Sequence, residues 1–215
     1  MNPIDTITQG DCTSGMAELA AGSVDFVLTD PPYIVNYRDR SGRSVTNDDS
    51  SRWLRPAFSQ IYRVLKPASF CVSFYAWNKV HLFMAAWRDA GFRSVGHIVF
   101  RKSYASAARF LRYEHECAYL LAKGDVEPPA QPIPDVIEFR YTGNKLHPTQ
   151  KPISALTPLI SAFSPPGGVV LDPFAGSGST LAAAKKLGRR FIGFEIDPQH
   201  YRTATVRLAD MKEAA

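Results

Sequence analysis

Seven short apolar runs punctuate this chain, and most stretches between them repeat their apolar residues every three to four positions. The runs are IDTIT from Ile4, VDFVLT from Val24, FCVSFY from Phe70, VGHIVF from Val95, CAYLLA from Cys117, GVVLD from Gly168 and RFIGFEI from Arg190. Their β-branched and aromatic content, with turn residues close by, predicts strands. The segments between them predict helices. RPAFSQIYRVLK carries Phe58, Ile61, Tyr62 and Leu65 at helical spacing and stops at Pro67, and NKVHLFMAAWRDAG ends at Gly91, a position for a C′ glycine. ISALTPLISAF precedes the sixth run, STLAAAKKLG follows it, and PQHYRTATVRLADMKEA closes the chain. Strands joined through helices pair in parallel, with helices covering both faces of the sheet. The expected fold is α/β: a doubly wound, mostly parallel seven-stranded sheet. Only RKSYASAARFLRYEHE separates the fourth and fifth runs, so one strand is expected antiparallel. The proline-rich KGDVEPPAQPIPDVIEFRYTGNK has no sustained period and reads as a loop. Residues 1–215 are enough for a single domain.

Composition removes several classes. No apolar run approaches the roughly 20 residues of a membrane span. MNPIDTITQGDC lacks the basic stretch and apolar core of a secretion signal. Three scattered cysteines, Cys12, Cys71 and Cys117, suit a reducing cytoplasm and argue against a disulfide framework or a cysteine-rich metal site. A cytoplasmic location and no metal are expected. The net charge of +5 suits a polyanionic partner. Arg38 to Arg55 holds five arginines against Asp39, Asp48 and Asp49, and Arg101 to Arg112 holds four cations and no acid.

Two strand ends carry the chemistry. VDFVLTDPPY runs into Asp30, Pro31, Pro32 and Tyr33. Proline gives no N–H to a ladder and holds φ near −65°, so the chain leaves the sheet here with Asp30 rigidly presented. VVLDPFAGSGST runs into Asp172, then a turn at Gly176 and Gly178, then a helix. Glycines let the backbone approach a ligand, and a helix N-terminus offers free N–H groups. Leu181 stands where the third glycine of G-x-G-x-x-G would be, so the turn alone is weak evidence. Glu195, however, ends the next strand 19 residues after Gly176. An acid at that spacing can accept bonds from ribose hydroxyls.

DPPY at Asp30, HPTQKP at His147 and DPFAGSGS at Asp172, in that order, resemble the S-adenosylmethionine (AdoMet)-dependent amino-methyltransferases of DNA, specifically their β group. QGDC near Gly10 and YEHECAYLLAKG also read as that family's blocks, so the resemblance covers nearly the whole chain. It implies a Rossmann-like sheet in circularly permuted methyltransferase order, with AdoMet as cofactor and double-stranded DNA as partner; a homodimer is compatible. It implies that Asp30 and the Pro31 carbonyl polarise an exocyclic amine, that Pro32 stiffens the turn, and that Tyr33 stacks on an extruded base. AdoMet is then expected against Asp11, Cys12, Asp30, His147, Thr149, Gln150, Lys151, Asp172, Pro173, Phe174, Gly176, Ser177, Gly178, Thr180, Glu195 and Ile196. Within that set, Lys151 would meet the cofactor carboxylate, Asp172 its ammonium and Phe174 its thioether region. Asp11 reads either as the partner of the adenine amino group or as an N-cap of the following helix. His147, before Pro148, reads as structural.

If GVVLD and RFIGFEI open the cofactor half, the neighbour order, by first residue, is Ile4, Arg190, Gly168, Val24, Phe70, Cys117, Val95. AdoMet and base would then meet at the carboxyl ends of the Gly168 and Val24 strands, where the winding reverses. DPPY is more often associated with adenine N6, and SPPY with cytosine N4. The expected activity is adenine-N6 methylation of DNA, as in restriction–modification; alternatives are cytosine-N4 methylation, or methylation of an RNA or protein amine. Segments 34–53, 101–113 and 124–145 are the expected DNA contacts, with Tyr37, Trp53 and Tyr104 available for stacking and Trp53 equally suited to the core.

Overall fold

The computed structural model describes residues 4–37, 45–105, 110–141, 143 and 150–211. In chain order the elements are β1 (Thr6–Gln9), α1 (Cys12–Ala17), β2 (Val24–Thr29), α2 (Leu54–Val64), β3 (Leu65–Phe74), α3 (Val80–Ala90), β4 (Arg93–Lys102), β5 (His115–Lys123), β6 (Val136–Phe139), α4 (Ile153–Phe163), β7 (Val169–Asp172), α5 (Ser179–Lys186), β8 (Arg190–Glu195) and α6 (Pro198–Asp210). The strands form one sheet in the order β1-β8-β7-β2-β3-β5-β4-β6. This is the order expected from the sequence, with one strand added at the far edge. β5 runs antiparallel to both β3 and β4, and every other pair is parallel.

The added strand corrects the seven-stranded expectation. β6 lies inside the proline-rich stretch read as a loop and pairs parallel with β4, Val99 opposite Val136 through Lys102 opposite Phe139. Ile137 and Phe139 point into the core while Val136 and Glu138 face out. Four residues are too few for a period of two to stand out, and the prolines sit before the ladder, where they cost no bond. β3 also starts earlier than the sequence suggests and runs through Pro67. There the pairing with β2 shifts register, Val24 opposite Leu65 and then Phe26 opposite Phe70, and Ala68 takes φ 54°. A bulge absorbs the proline that would otherwise break the ladder.

Helices cover both faces. Leu156, Leu159 and Ile160 of α4, Leu181 of α5 and Leu208 of α6 pack on Phe26, Leu28, Phe74 and Phe100 from one side. Met16 of α1, Phe58 and Ile61 of α2 and Phe83 and Trp87 of α3 pack on Val24, Val27, Leu65 and Cys71 from the other. Gly91 takes φ 105° and ends α3 as expected. Burial on both faces explains why β2 reads as an almost unbroken apolar run.

Leu181 finds its explanation in α5 and β8. A Cβ on Gly193 of β8 would overlap Leu181 Cδ1. The close helix–strand approach that the third glycine of the dinucleotide pattern provides is made here by a glycine on the strand instead. α6 packs back on β1, consistent with a permuted sheet. The parallel strands β8, β7, β2 and β3 end on one edge. β5, running the other way, begins there, and this brings Glu116 to the same edge.

Candidate active site

The bend after β2 and the bend after β7 line one cleft enclosing about 1140 Å³, its open mouth included. Asp30, Pro31, Pro32 and Tyr33 form one wall, and Asp172, Pro173, Phe174, Gly176 and Ser177 the facing wall. Asp11, Cys12, Gln150, Lys151, Thr180, Glu195 and Ile196 complete it. Gly178 lies behind the lining: it takes φ 75° as the N-cap of α5, and a Cβ there would press on Ala204 at 3.1 Å. His147 and Thr149 lie outside the described residues.

Both oxygens of Asp30 are engaged. Oδ1 accepts from Tyr33 Oη at 2.8 Å, and Oδ2 from Lys151 Nζ at 2.6 Å. The Tyr33 hydroxyl is thus tied back to Asp30, with the Lys151 ammonium 5.5 Å from the ring centroid. Lys151 is 5% exposed and also lies 4.8 Å from the centre of the Phe74 ring. Its second acidic neighbour is Glu116 of β5, 3.0 Å away. Glu116 in turn pairs through its other oxygen with buried Lys102 of β4. Phe100 and Glu116 are direct cross-strand partners, so Lys102, two residues further along β4, is a diagonal neighbour on the same face. The result is a chain of alternating acidic and basic side chains, Asp30–Lys151–Glu116–Lys102. Burial raises the Asp30 pKa against the pull of Lys151. Burial would lower the pKa of Lys151, but Asp30 and Glu116 together raise it above the ordinary lysine value. Burial would likewise raise Glu116, but Lys151 and Lys102 hold it below the usual carboxylate range.

Sequence reasoning sends Lys151 to the cofactor; the structure places its ammonium between two of the protein's own carboxylates. It singles out neither Glu116 nor the buried role of Lys102. The available signal was an acid at the start of an apolar run expected to be antiparallel: such a start lies at the edge where the parallel strands end.

The other half of the cleft is lined by carboxylates. Glu195 is 8% exposed; Oε2 accepts from the Gly176 N–H at 2.7 Å and Oε1 from the Asp197 N–H at 2.8 Å. Each oxygen keeps a lone pair for a hydroxyl. Burial raises the Glu195 pKa. Burial also pushes Asp172 up to about 7, against hydrogen bonds from Thr180 and the Phe174 N–H. Burial pushes the Cys12 thiol up to about 12, so it is a neutral wall group. Asp11 caps α1, accepting from the Ser14 N–H at 2.9 Å, and lines the cleft as well. Among the described lining residues, the acids Asp11, Asp30, Asp48, Asp172, Glu195 and Asp197 outnumber the one lysine, Lys151, which is already paired, a balance that fits the sulfonium and ammonium of AdoMet.

The described part of segment 34–53 lines this cleft, through Val35, Tyr37, Asn47, Asp48 and Trp53. Asp48, only 3% exposed, organises it by accepting the N–H groups of Ile34 at 2.7 Å, Val35 at 3.3 Å and Tyr37 at 2.6 Å. Ile34 and Asn36 take positive φ, 61° and 52°. Trp53 donates Nε1–H to the Asn47 carbonyl and sets its ring edgewise on Phe174 and Phe83, which is core packing. In the second basic segment, neighbouring acids answer three of the cations: Arg101 pairs with Glu138, Lys102 with Glu116 and Arg112 with Glu114. Arg109 lies outside the described residues. Tyr104 meets Tyr141 edgewise.

Comparison with known proteins agrees with this geometry. A family model for the N6/N4 DNA methylases matches residues 24–142 and 135–206. YubD of Escherichia coli K12 is 53% identical, with 96% of this chain and 91% of that protein covered. The DNA adenine methyltransferase YhdJ of the same organism is 29% identical, over 96% of this chain and 83% of its own. Among solved structures, the M1.HpyAVI–SAM complex superposes with a TM-score of 0.75 at 22% identity, covering 96% of this chain and 99% of that one. The chain belongs to the N6/N4 DNA methylase family, whose methyl donor is S-adenosylmethionine.

Proposed function

We propose that this DNA methyltransferase acts on the exocyclic N6 of adenine, in a base turned out of the duplex into the cleft at Asp30. One observation carries the reading: the Asp30 carboxylate and the glycine turn after β7 line the same cleft. AdoMet, when bound, supplies an electrophilic methyl group on its sulfonium. N6 is a poor nucleophile because its lone pair is delocalised into the purine ring. A carboxylate oxygen of Asp30 accepts one N–H and the Pro31 carbonyl accepts the other, which draws the lone pair out of the ring and toward the donor. Asp30 retains lone pairs for this beside its bonds to Tyr33 and Lys151. The two prolines hold the carbonyl direction. Tyr33 presents a ring face to the base. Alignment and polarity supply the catalysis, with no covalent enzyme intermediate. The N6 proton becomes acidic only once the methyl has transferred, and it leaves to Asp30 or water. Asp11, Cys12, Glu195 and Ile196 hold the nucleoside end of the cofactor, and Asp172, Phe174, Gln150 and the glycine turn its methionine end. Adenine is favoured by the aspartate of DPPY and by the named activity of YhdJ.

Transfer from labelled AdoMet to duplex DNA, followed by nucleoside analysis, tests this. N6-methyladenine is expected. N4-methylcytosine would reassign the base, and label in RNA or protein but not DNA would reassign the substrate. Asp30→Ala should lower turnover by about 100-fold or more while AdoMet binding changes by less than about threefold. Undiminished turnover in that variant would refute the role given to Asp30.

A further inference from the structure

The four-residue charge chain that begins at Asp30 has a feature that an amine-polarising carboxylate does not require. Lys151 donates a hydrogen bond to Asp30 Oδ2 at 2.6 Å and forms an ion pair with Glu116 Oε2 at 3.0 Å. A buried ammonium with one carboxylate commits most of its field to that partner, because little solvent screens it. Asp30 bound that way would be a poor acceptor for a neutral amine. A second carboxylate on the far side of the ammonium withdraws part of that field. Glu116 is itself shared between Lys151 and Lys102, the latter 9% exposed with its ammonium over the Tyr104 and Phe139 rings.

We propose that Glu116, held by Lys102, is a positioning residue that divides the Lys151 ammonium between two carboxylates and so keeps Asp30 available to the incoming amine. Among the described residues, titratable groups reach this chain from several elements. Tyr33 faces Asp30 from its own turn, Lys151 from the segment before α4, Glu116 from β5 and Asp172 from β7. Lys102 and Tyr104 from the end of β4, and Cys117 beside Glu116, form the next layer. The charge of Glu116 opposes ionisation of Asp30, and that of Lys151 favours it. Removing the first leaves the second unopposed.

The inference rests on the amine-polarising role given to Asp30, and its test separates the two. In Glu116→Gln, kcat for methyl transfer falls about tenfold, and the acidic limb of its pH profile moves to lower pH by about 1. AdoMet affinity stays within about twofold. Glu116→Asp returns the limb toward the wild-type position. Lys102→Met releases Glu116 and moves the limb the opposite way, which loss of packing would not do; it also decides the matter if Glu116→Gln does not fold. The same shifts are read without turnover from the side-chain carboxyl carbon resonance of Asp30 in aspartate-labelled protein, assigned with Asp30→Asn. A wild-type protein inactive on DNA would therefore discard the substrate reading and leave this measurement standing. If Glu116→Gln and Lys102→Met leave the Asp30 titration unmoved, or move it in the same direction, the division of charge is wrong.

Discussion

A single buried carboxylate sets the loop that follows the Asp30–Tyr33 turn. Asp48 gathers three backbone N–H groups from residues 34 to 37. Asp48→Asn turns an amide donor toward one or more of those donors. It is expected to lower unfolding free energy by about 1–3 kcal/mol and to weaken AdoMet binding, by denaturant titration and calorimetry. Unchanged stability would mean that water serves the loop equally well. Asp172 carries a second prediction. Its folded-state pKa of about 7 lies above the ordinary value of 3.8, so it contributes stability fully present below pH 3.8 and lost as pH rises through 7. A cation arriving beside it lowers that pKa and expels the proton. AdoMet affinity should fall as pH drops below 7, by up to about tenfold per pH unit, and Asp172→Asn should remove the dependence. Equal affinity at pH 6 and pH 8 in the unmodified protein would exclude this coupling. Asp30, Asp172 and Glu195 were legible because each ends a strand and begins a turn. Asp48 was not, because it sits between turns with no period around it.

At the scale of elements, the α5–β8 packing shows how a motif keeps its physics while changing its letters. Leu181 occupies the helix position reserved for glycine, and Gly193 clears the space from the strand side. Gly193→Ala should destabilise the protein by about 1–3 kcal/mol through overpacking and should disturb Glu195, two residues on. A thermal midpoint equal to wild type would show that Leu181 can turn aside. Strands buried on both faces announced themselves as apolar runs, and helices by their spacing. β6 did not, since half of a four-residue edge strand is solvent-facing and its neighbours are prolines.

Across the whole molecule, charge pairing changes the meaning of the basic composition. Arg101 to Arg112 reads as a cationic stretch along the chain, yet β6 and β5 bring Glu138 and Glu116 against Arg101 and Lys102, and Glu114 pairs locally with Arg112. Arg101 and Arg112 remain exposed enough to reach phosphate, but each holds a carboxylate nearby. Glu114→Gln with Glu138→Gln should therefore tighten DNA binding and steepen its salt dependence, by about −0.9 in log–log slope for each additional phosphate neutralised. A slope equal to wild type would take this face out of the DNA interface. The cleft is likewise a property of the whole sheet: Asp30 and Lys151 are 121 residues apart, and Gly176 and Glu195 bond across two strand ends.

The strands themselves, the antiparallel one and the two acid-ended bends followed from the linear pattern, because periodicity and turn chemistry act over a few residues and leave a local trace; the strand order followed from the permuted order that the family resemblance implies. The partner of Lys151, the burial of Lys102 and the pairing of Arg101 with Glu138 had no such trace. Pairing between charges depends on which strands lie side by side and which face each side chain takes, and only chain closure settles both.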